Sequence, residues 1–233
     1  MTRATSSNDR RAAEKAAAAL QREVSVFINC PFDGDYGSSL DTIIFTIISC
    51  GYVPRSAIDT DTTSESRMER IVDALRSSRL SIHDLSRIYG EGEANTARMN
   101  MPLELGIAMA MKLAFKNGET KRPHDWTALV PAGAPYNRAV SDLNGHDLKG
   151  YEDQRALISK VMLWLVTRKG PRAQFQPADI ARALPLFQVA MADHREGWKG
   201  GGVPWELMIR DGRRVALQNG LKTMVDVPMG VKS

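Results

Sequence analysis

The sequence has 233 residues, of which 43% are hydrophobic and 25% charged, a balance typical of a globular protein and not of a disordered or membrane-embedded one. Its formal net charge of +4 comes without a basic stripe interleaved with aromatic residues, so nucleic-acid binding is not expected. Met1–Glu23 lacks the apolar core of a signal peptide, and Thr42–Cys50, the longest apolar run, is too short to span a bilayer. We therefore expect a cytoplasmic protein without membrane contact.

The first predicted elements are a buried strand and an apolar helix. Val24–Asn29 (VSVFIN) is a short run of β-branched and aromatic residues, and the turn-forming letters CPFDGDYG end it. Ser38–Ser49 then shows apolar residues at helical spacing, and Gly51 is placed to terminate this helix. Residues 1–23 are predicted to form a flexible or helical N-terminal arm.

A strand, a helix and a strand come next. Tyr52–Ile58 is predicted as the second strand. Arg67–Ser78 then carries one apolar face at helical spacing, and Ser64 is its predicted N-cap. Leu80–Leu85 (LSIHDL) is the third strand, and a polar, glycine-containing loop leads from it to Asn100.

The pattern continues with a helix, a strand and a helix. Pro102 is predicted at the first position of the helix that contains LELGIAMAMKLAF, where the missing N–H of proline does no harm. Trp126–Val130 is the fourth predicted strand, and Tyr151–Thr167 is an amphipathic helix.

Alternating strands and helices predict βαβ crossovers, and hence a doubly wound, flavodoxin-like α/β domain with a mostly parallel sheet at residues 24–169. Beyond Gly170, breaks at KGPRAQFQP and WKGGGVP separate a helical pattern at Asp179–His194 from Pro204–Leu217, a short helix or a strand pair. We expect residues 170–233 to form a small, mainly helical C-terminal appendage.

Ligands of such sheets bind beyond the carboxyl ends of the strands. The backbone amides of the loop NCPFDGDYG could bind a phosphate or ribose there. Alternatively, the proline and glycines of this loop are needed only for the geometry of a turn. His83 and Asp84 end a strand, where a period of two turns them to opposite faces, and either could equally be structural. SDLNGHD either grips a ribose or forms an Asn-Gly turn. The candidate substrate-binding residues are Asn29, Pro31, Phe32, Asp33, Tyr36, Asn100, Asp142 and Asn144.

Glu104 is the main candidate for catalysis. As the third residue of its predicted helix it would lie near the positive end of the helix dipole, which favours an ionised carboxylate and suits a nucleophile or an electrostatic stabiliser. Alternatively, it completes a capping arrangement for its own helix. The two cysteines and four histidines show no metal-ligand spacing, and we expect neither a metal nor a cofactor.

Taken together, FINCPFD, IHDLSR and NMPLELGIAMAMK resemble the nucleoside 2-deoxyribosyltransferase-like families, which are close in fold to TIR-type NAD hydrolases. The resemblance covers about Val24–Thr167. It implies that Glu104 attacks or stabilises the anomeric carbon of a ribosyl group, and it implies oligomers whose neighbours complete the pocket. It further implies a pocket lined by Pro31, Phe32 and Asp33 and supported by Asp84, which is the second candidate catalytic residue beside Glu104.

The sequence departs from the family in two places: RMNMP replaces a glycine-threonine pair before the helix of Glu104, and the segment after Gly170 has no counterpart. The leading hypothesis is an N-ribosyl hydrolase or transferase acting on a nucleotide or nucleoside, NAD among them. The alternative is a non-catalytic nucleotide-sensing or protein-interaction module of TIR-like fold, in keeping with an association of FINCPFD-type proteins with bacterial defence.

Overall fold

The computed structural model describes residues 7–32, 36–59, 64–88, 99–114, 123–134, 136, 140–168, 175–198 and 202–221. A sheet of five strands, all paired in parallel, forms its centre in the order β2-β1-β3-β4-β5. This order confirms the predicted flavodoxin-like α/β fold class. The strands are β1 (Ser25–Asn29), β2 (Val53–Arg55), β3 (Leu80–Asp84), β4 (Asp125–Pro131) and β5 (Lys149–Tyr151).

Helices cover both faces of this sheet. Residues 7–23 of the N-terminal arm are helical, and among the described residues no helix is long and apolar enough to cross a membrane. A short 3-10 helix, Ser141–Leu143, lies between β4 and β5. The α-helices are α1 (Ser7–Val24), α2 (Gly37–Ser49), α3 (Arg67–Arg76), α4 (Asn100–Ala114), α5 (Gln154–Val166), α6 (Pro177–Gly197) and α7 (Trp205–Gln218).

Strand β5 is an element that the sequence pattern did not predict. It is only three residues long, and it pairs with the end of β4, with Lys149 opposite Leu129 and Tyr151 opposite Pro131. Tyr151 therefore belongs to a strand instead of starting a helix. Asp153 caps α5 by accepting a hydrogen bond from the Ala156 N–H at 2.7 Å, and the helix begins one residue later.

The buried helix α2 explains where the C-terminal segment packs. All its residues from Leu40 to Ser49 are buried, and the charged residue among them, Asp41, pairs with Arg195. The sheet covers one side of α2, and α5, α6 and α7 cover the others. The C-terminal part is mainly helical, as predicted, and α6 and α7 share one hydrophobic core with β1 and β3.

Gly212 of α7 packs against Ile48 of α2. A Cβ atom at this position would lie 2.5 Å from Ile48 Cδ1 and 3.4 Å from Phe187 Cε2. We therefore expect Gly212→Ala to lower the free energy of unfolding by about 1 kcal/mol, although alanine is the better helix former.

The matched control is Gly106→Ala in α4, where an added Cβ atom meets nothing within 4 Å. Higher helix propensity should there raise the free energy of unfolding by about 1 kcal/mol. Urea denaturation of both variants measures the difference. Equal stabilisation by the two substitutions would contradict the close contact at Gly212.

Candidate active site

The carboxyl ends of β1 and β3 mark the point where the strand order of the sheet reverses. The helix after β1 packs on one face of the sheet, together with α5, α6 and α7, and we call this the α2 face. The helix after β3 packs with α3 on the other face, which we call the α4 face. The helices that follow β1 and β3 thus lie on opposite faces, and in doubly wound sheets such a switch point is where ligands bind.

Asn29, the last residue of β1, joins three elements at this point. Its side-chain nitrogen donates to Nδ1 of His83 at 3.0 Å and to the carbonyl oxygen of Met101 at 2.9 Å. It therefore attaches the first turn of α4 to β1 and β3. Both of its N–H groups are used and the residue is buried. Asn29 was predicted to bind the substrate, but in this structure it positions α4 and does not present its nitrogen to a substrate.

A chain of hydrogen bonds runs from Asn29 along β3 on the α4 face. His83 Nε2 lies 2.9 Å from Ser81 Oγ, which lies 2.9 Å from His124 Nε2, and His124 Nδ1 lies 3.0 Å from the Ser78 carbonyl. An amide nitrogen can only donate and a carbonyl can only accept, so the chain assigns the N–H to Nε2 of His83 and to Nδ1 of His124. Burial lowers the pKa of His83 to about 3 and that of His124 to about 4.

Asp84 points to the α2 face, so the prediction that it and His83 face opposite ways is confirmed. The Tyr151 hydroxyl donates to its Oδ2 at 2.9 Å, and the Ser86 N–H donates to its Oδ1 at 2.8 Å. Burial raises its pKa, against the hydrogen bonds from Ser86, Tyr36 and Tyr151. The predicted catalytic role needs correction on geometry: Asp84 has no exposed surface and belongs to the face opposite α4, so it positions the two tyrosines.

Removing the Asp84 carboxyl should destabilise the fold. Asp84→Ala leaves the Tyr151 hydroxyl and the Ser86 N–H without their acceptor, which should lower the free energy of unfolding by about 2 kcal/mol. Asp142→Ala, on the exposed 3-10 helix, is the control and should leave stability unchanged in the same chemical denaturation experiment. A neutral effect of Asp84→Ala would contradict the hydrogen-bonding role.

Glu104 lies deeper in its helix than predicted. Helix α4 begins at Asn100 and not at Pro102, so Glu104 is the fifth helical residue and no acidic residue occupies the first turn. Pro102 remains harmless because the first four N–H groups of a helix have no partner within it. The N-terminal capping arrangement that we considered is excluded for the same reason, since it needs the third position.

The carboxyl of Glu104 is buried with incomplete pairing. Only 3% of the residue is exposed, and Oε1 accepts no hydrogen bond from the described part of the chain. Nη2 of Arg67, at the start of α3, lies 3.8 Å from Oε1, and the Arg67 side chain is 55% exposed.

Burial raises the pKa of Glu104 to about 7, against the opposing effects of Arg67 and a hydrogen bond with Asn100. This effect opposes that of the helix dipole, which we expected to keep the carboxylate ionised. The dipole acts less strongly on Glu104 than expected, because the helix begins two residues earlier than predicted.

The other predicted binding residues are dispersed. Pro31 and Tyr36 are buried, and Phe32 packs against the core of the α2 face. Asp33 lies outside the described residues. Asn100 is exposed at the start of α4. Asp142 and Asn144 are exposed. Asn144 and Gly145 form the Asn-Gly turn that was the structural alternative for this segment. Gly145 has a φ of 93°, and the His146 N–H donates to the Leu143 carbonyl at 3.0 Å.

Four residues of this region were not singled out from the sequence: Ser81, His124, Tyr151 and Arg67. Ser81 could have been found, because a period of two places it on the same face of β3 as His83. The other three reach the region from distant elements and carry no local signal. Among the described residues, no group of three His, Cys, Asp or Glu side chains could hold a metal ion.

Comparison with models of known protein families and with curated proteins gives no match for this chain.

Proposed function

We propose that the protein is an N-ribosyl hydrolase or transferase that cleaves the N-glycosidic bond of a nucleotide or nucleoside, with Glu104 as the acting carboxylate. The observation that supports the proposal is Glu104 itself, which is almost fully buried, has a pKa raised to about 7 and keeps one oxygen free of described hydrogen-bond donors. An incompletely paired buried carboxyl reduces stability, so a fold that keeps one is more often using it.

In the proposed reaction, the bond between the ribose C1′ and the base nitrogen breaks, and its electron pair leaves with the base. The Glu104 carboxylate either bonds to C1′ or stabilises the positive charge that develops there. Water then adds at C1′, which breaks the bond to Glu104 where one has formed, and its proton passes to the released base or to solvent; the product is a free ribosyl group. A second base in place of water gives a transfer product.

A reaction that needs one carboxylate fits this arrangement better than one that needs two. Asp84, the second predicted carboxylate, is turned to the α2 face and bonded to Tyr151 and Ser86. A base that is cationic while attached, such as the nicotinamide of NAD, leaves as a neutral molecule and needs no proton. Its positive charge would also lower the pKa of Glu104 and favour the ionised form. We therefore propose NAD or a related cationic nucleotide as the first substrate to test.

Mass spectrometry of released bases tests the proposal. Wild-type protein is incubated with NAD and a panel of nucleosides and nucleotides, beside Glu104→Gln and the control Glu152→Gln, which changes an exposed carboxylate. Wild type and Glu152→Gln should release a base, and Glu104→Gln should do so about a thousandfold more slowly. Equal release by Glu104→Gln and wild type would contradict the role of Glu104.

The alternative function is a non-catalytic module that senses nucleotides or binds another protein. It is favoured by one observation, namely that Asn29 and Asp84 are buried and bonded within the protein itself. Under this alternative, calorimetry would detect NAD binding to the wild-type protein while no base is released.

A further inference from the structure

Arg67 lies beside Glu104 at the protein surface. It is the first residue of α3, and its side chain is 55% exposed. Its Nη2 lies 3.8 Å from Oε1 of Glu104, whose own side chain is only 3% exposed. Among the described residues, Arg67 is the one cation in ion-pair contact with Glu104. It therefore joins the buried carboxyl to the surface.

The contact between Arg67 and Glu104 is a poor ion pair. A distance of 3.8 Å is too long for a hydrogen bond, and Oε1 accepts none from the described part of the chain. An ion pair that involves a largely exposed arginine contributes little to stability. Across the ranges that the structure describes, Arg67 donates no hydrogen bond, so the N–H donors of its guanidinium are available to a ligand.

The position of Arg67 is also unfavourable for helix α3. The N-terminus of a helix is the positive end of its dipole, so a cation there lowers helix stability. Other residues already cap this end, because Ser66 and Glu69 form a reciprocal capping box. Arg76, by contrast, lies in the last turn of α3, where the dipole favours a cation. Neither the helix nor the ion pair accounts for an arginine at position 67, and this favours a role in binding an external anion.

We propose that Arg67 binds a phosphate group of the substrate while the ribosyl carbon lies at Glu104, so that the site takes nucleotides in preference to nucleosides. The proposal rests on the proposed function, which places the ribosyl group at Glu104. The planar guanidinium of arginine matches a phosphate group with two parallel hydrogen bonds. In a nucleotide the 5′-phosphate is only a few bonds away from C1′, so a single substrate can contact both residues.

Calorimetry with two matched probes tests this assignment without turnover. Nicotinamide mononucleotide and nicotinamide riboside differ only in the 5′-phosphate, and both are titrated into Glu104→Gln protein, in which Arg67 cannot act through the charge of Glu104. The mononucleotide should bind roughly 10- to 100-fold more tightly than the riboside, as expected for hydrogen bonds between charged groups. Arg67→Ala in the same background should remove this difference, and Arg67→Lys should retain part of it, because lysine keeps the charge but not the planar fork.

Arg76→Ala in the Glu104→Gln background is the matched control. Arg76 belongs to the same helix, its side chain is 69% exposed, and its Nη1 lies 3.7 Å from Oδ1 of the exposed Asp73. The substitution removes the same charge from the chain, so a general electrostatic effect on an anionic probe would appear in both arginine variants. Arg76→Ala should keep the full preference for the mononucleotide. Both arginines are more than half exposed, so circular dichroism should show that all the variants fold.

The outcomes separate a failure of the phosphate site from a failure of the proposed function. Equal binding of the two probes, absence of binding by both, or a preference for the mononucleotide that survives Arg67→Ala would each overturn the role of Arg67. The proposed function would still stand if the wild type released a base and Glu104→Gln did not. Conversely, if the mononucleotide bound through Arg67 and the wild type released no base, the phosphate site would stand and the enzymatic function would fail.

Discussion

Glu104→Gln should become more stable relative to wild type as the pH rises, by about 3 kcal/mol between pH 4.5 and pH 8. Burial raises the pKa of Glu104 from its ordinary value of 4.5 to about 7 in the folded protein. For a carboxyl shifted upwards, the contribution to stability is fully present below the unfolded-state pKa and is lost as the pH rises through the folded-state pKa. Each pH unit between the two values is worth about 1.4 kcal/mol.

Urea denaturation at several pH values measures this effect as the difference in free energy of unfolding between variant and wild type. Taking the difference removes the titration of every group that the two proteins share. Glu152→Gln, an exposed carboxylate, should show no such trend. If the Glu104→Gln difference stayed constant across the range, Glu104 would not be a desolvated carboxyl in solution, and the structural support for the proposed function would be lost.

Acid should act on the protein mainly through the buried histidine chain. Burial lowers the pKa of His83 to about 3 and that of His124 to about 4 in the folded state. For a histidine shifted downwards, the stability is present above the unfolded-state pKa near 6.5 and is lost as the pH falls towards the folded-state value. Between pH 7 and pH 4.5, the two histidines together should lower the free energy of unfolding by about 5 kcal/mol.

His83→Gln isolates one half of this effect. The variant should be less stable than wild type at pH 7, because the hydrogen bond from Asn29 Nδ2 to His83 Nδ1 is lost. Its disadvantage should then shrink by about 3 kcal/mol as the pH falls to 4.5. Glu104 titrates in the opposite sense over the same range, so the difference between variant and wild type is again the quantity to measure. His146→Gln, at an exposed position, should follow wild type at each pH, and a pH-independent deficit for His83→Gln would exclude a buried neutral His83.

The layout of the sheet could be predicted because strong local patterns encode it. β1 and β3 are short apolar runs with clear turn signals at their ends, and the two-residue period placed His83 and Asp84 on opposite faces. Strand β5 could not be predicted, because its three residues include a glycine and gain their strand conformation from pairing with β4.

The packing of the C-terminal helices on α2 is an example of long-range contacts that local sequence patterns do not reveal. The sequence correctly indicated a helix with apolar residues at helical spacing at α2. It did not indicate the covering elements, because the contacts of α2 with α6 and α7 join residues more than 100 positions apart. The breaks around residues 170 and 200 therefore indicated a helical C-terminal part, but not that its helices share the core of α2, β1 and β3.

The candidate site was predictable in position but not in its electrostatics. The alternation of elements brought the start of α4 to the carboxyl edge of the sheet, and Glu104 lies there. The sign of its pKa shift depends on burial and on where the helix begins, and a sequence shows neither with enough accuracy. Arg67 reaches Glu104 from the start of another helix, so no motif joins the two residues.

Chemical rescue of a Glu104→Ala variant distinguishes a carboxylate that reacts from one that only supports the fold. Truncation leaves space for a small anion beside the ribosyl carbon, and formate can then supply the missing carboxylate. We predict that Glu104→Ala releases base about a thousandfold more slowly than wild type and that added formate restores part of the rate in proportion to its concentration. A folded Glu104→Ala variant that releases base at the wild-type rate, or one whose lost activity formate does not restore, would contradict the assignment of Glu104 as the acting carboxylate.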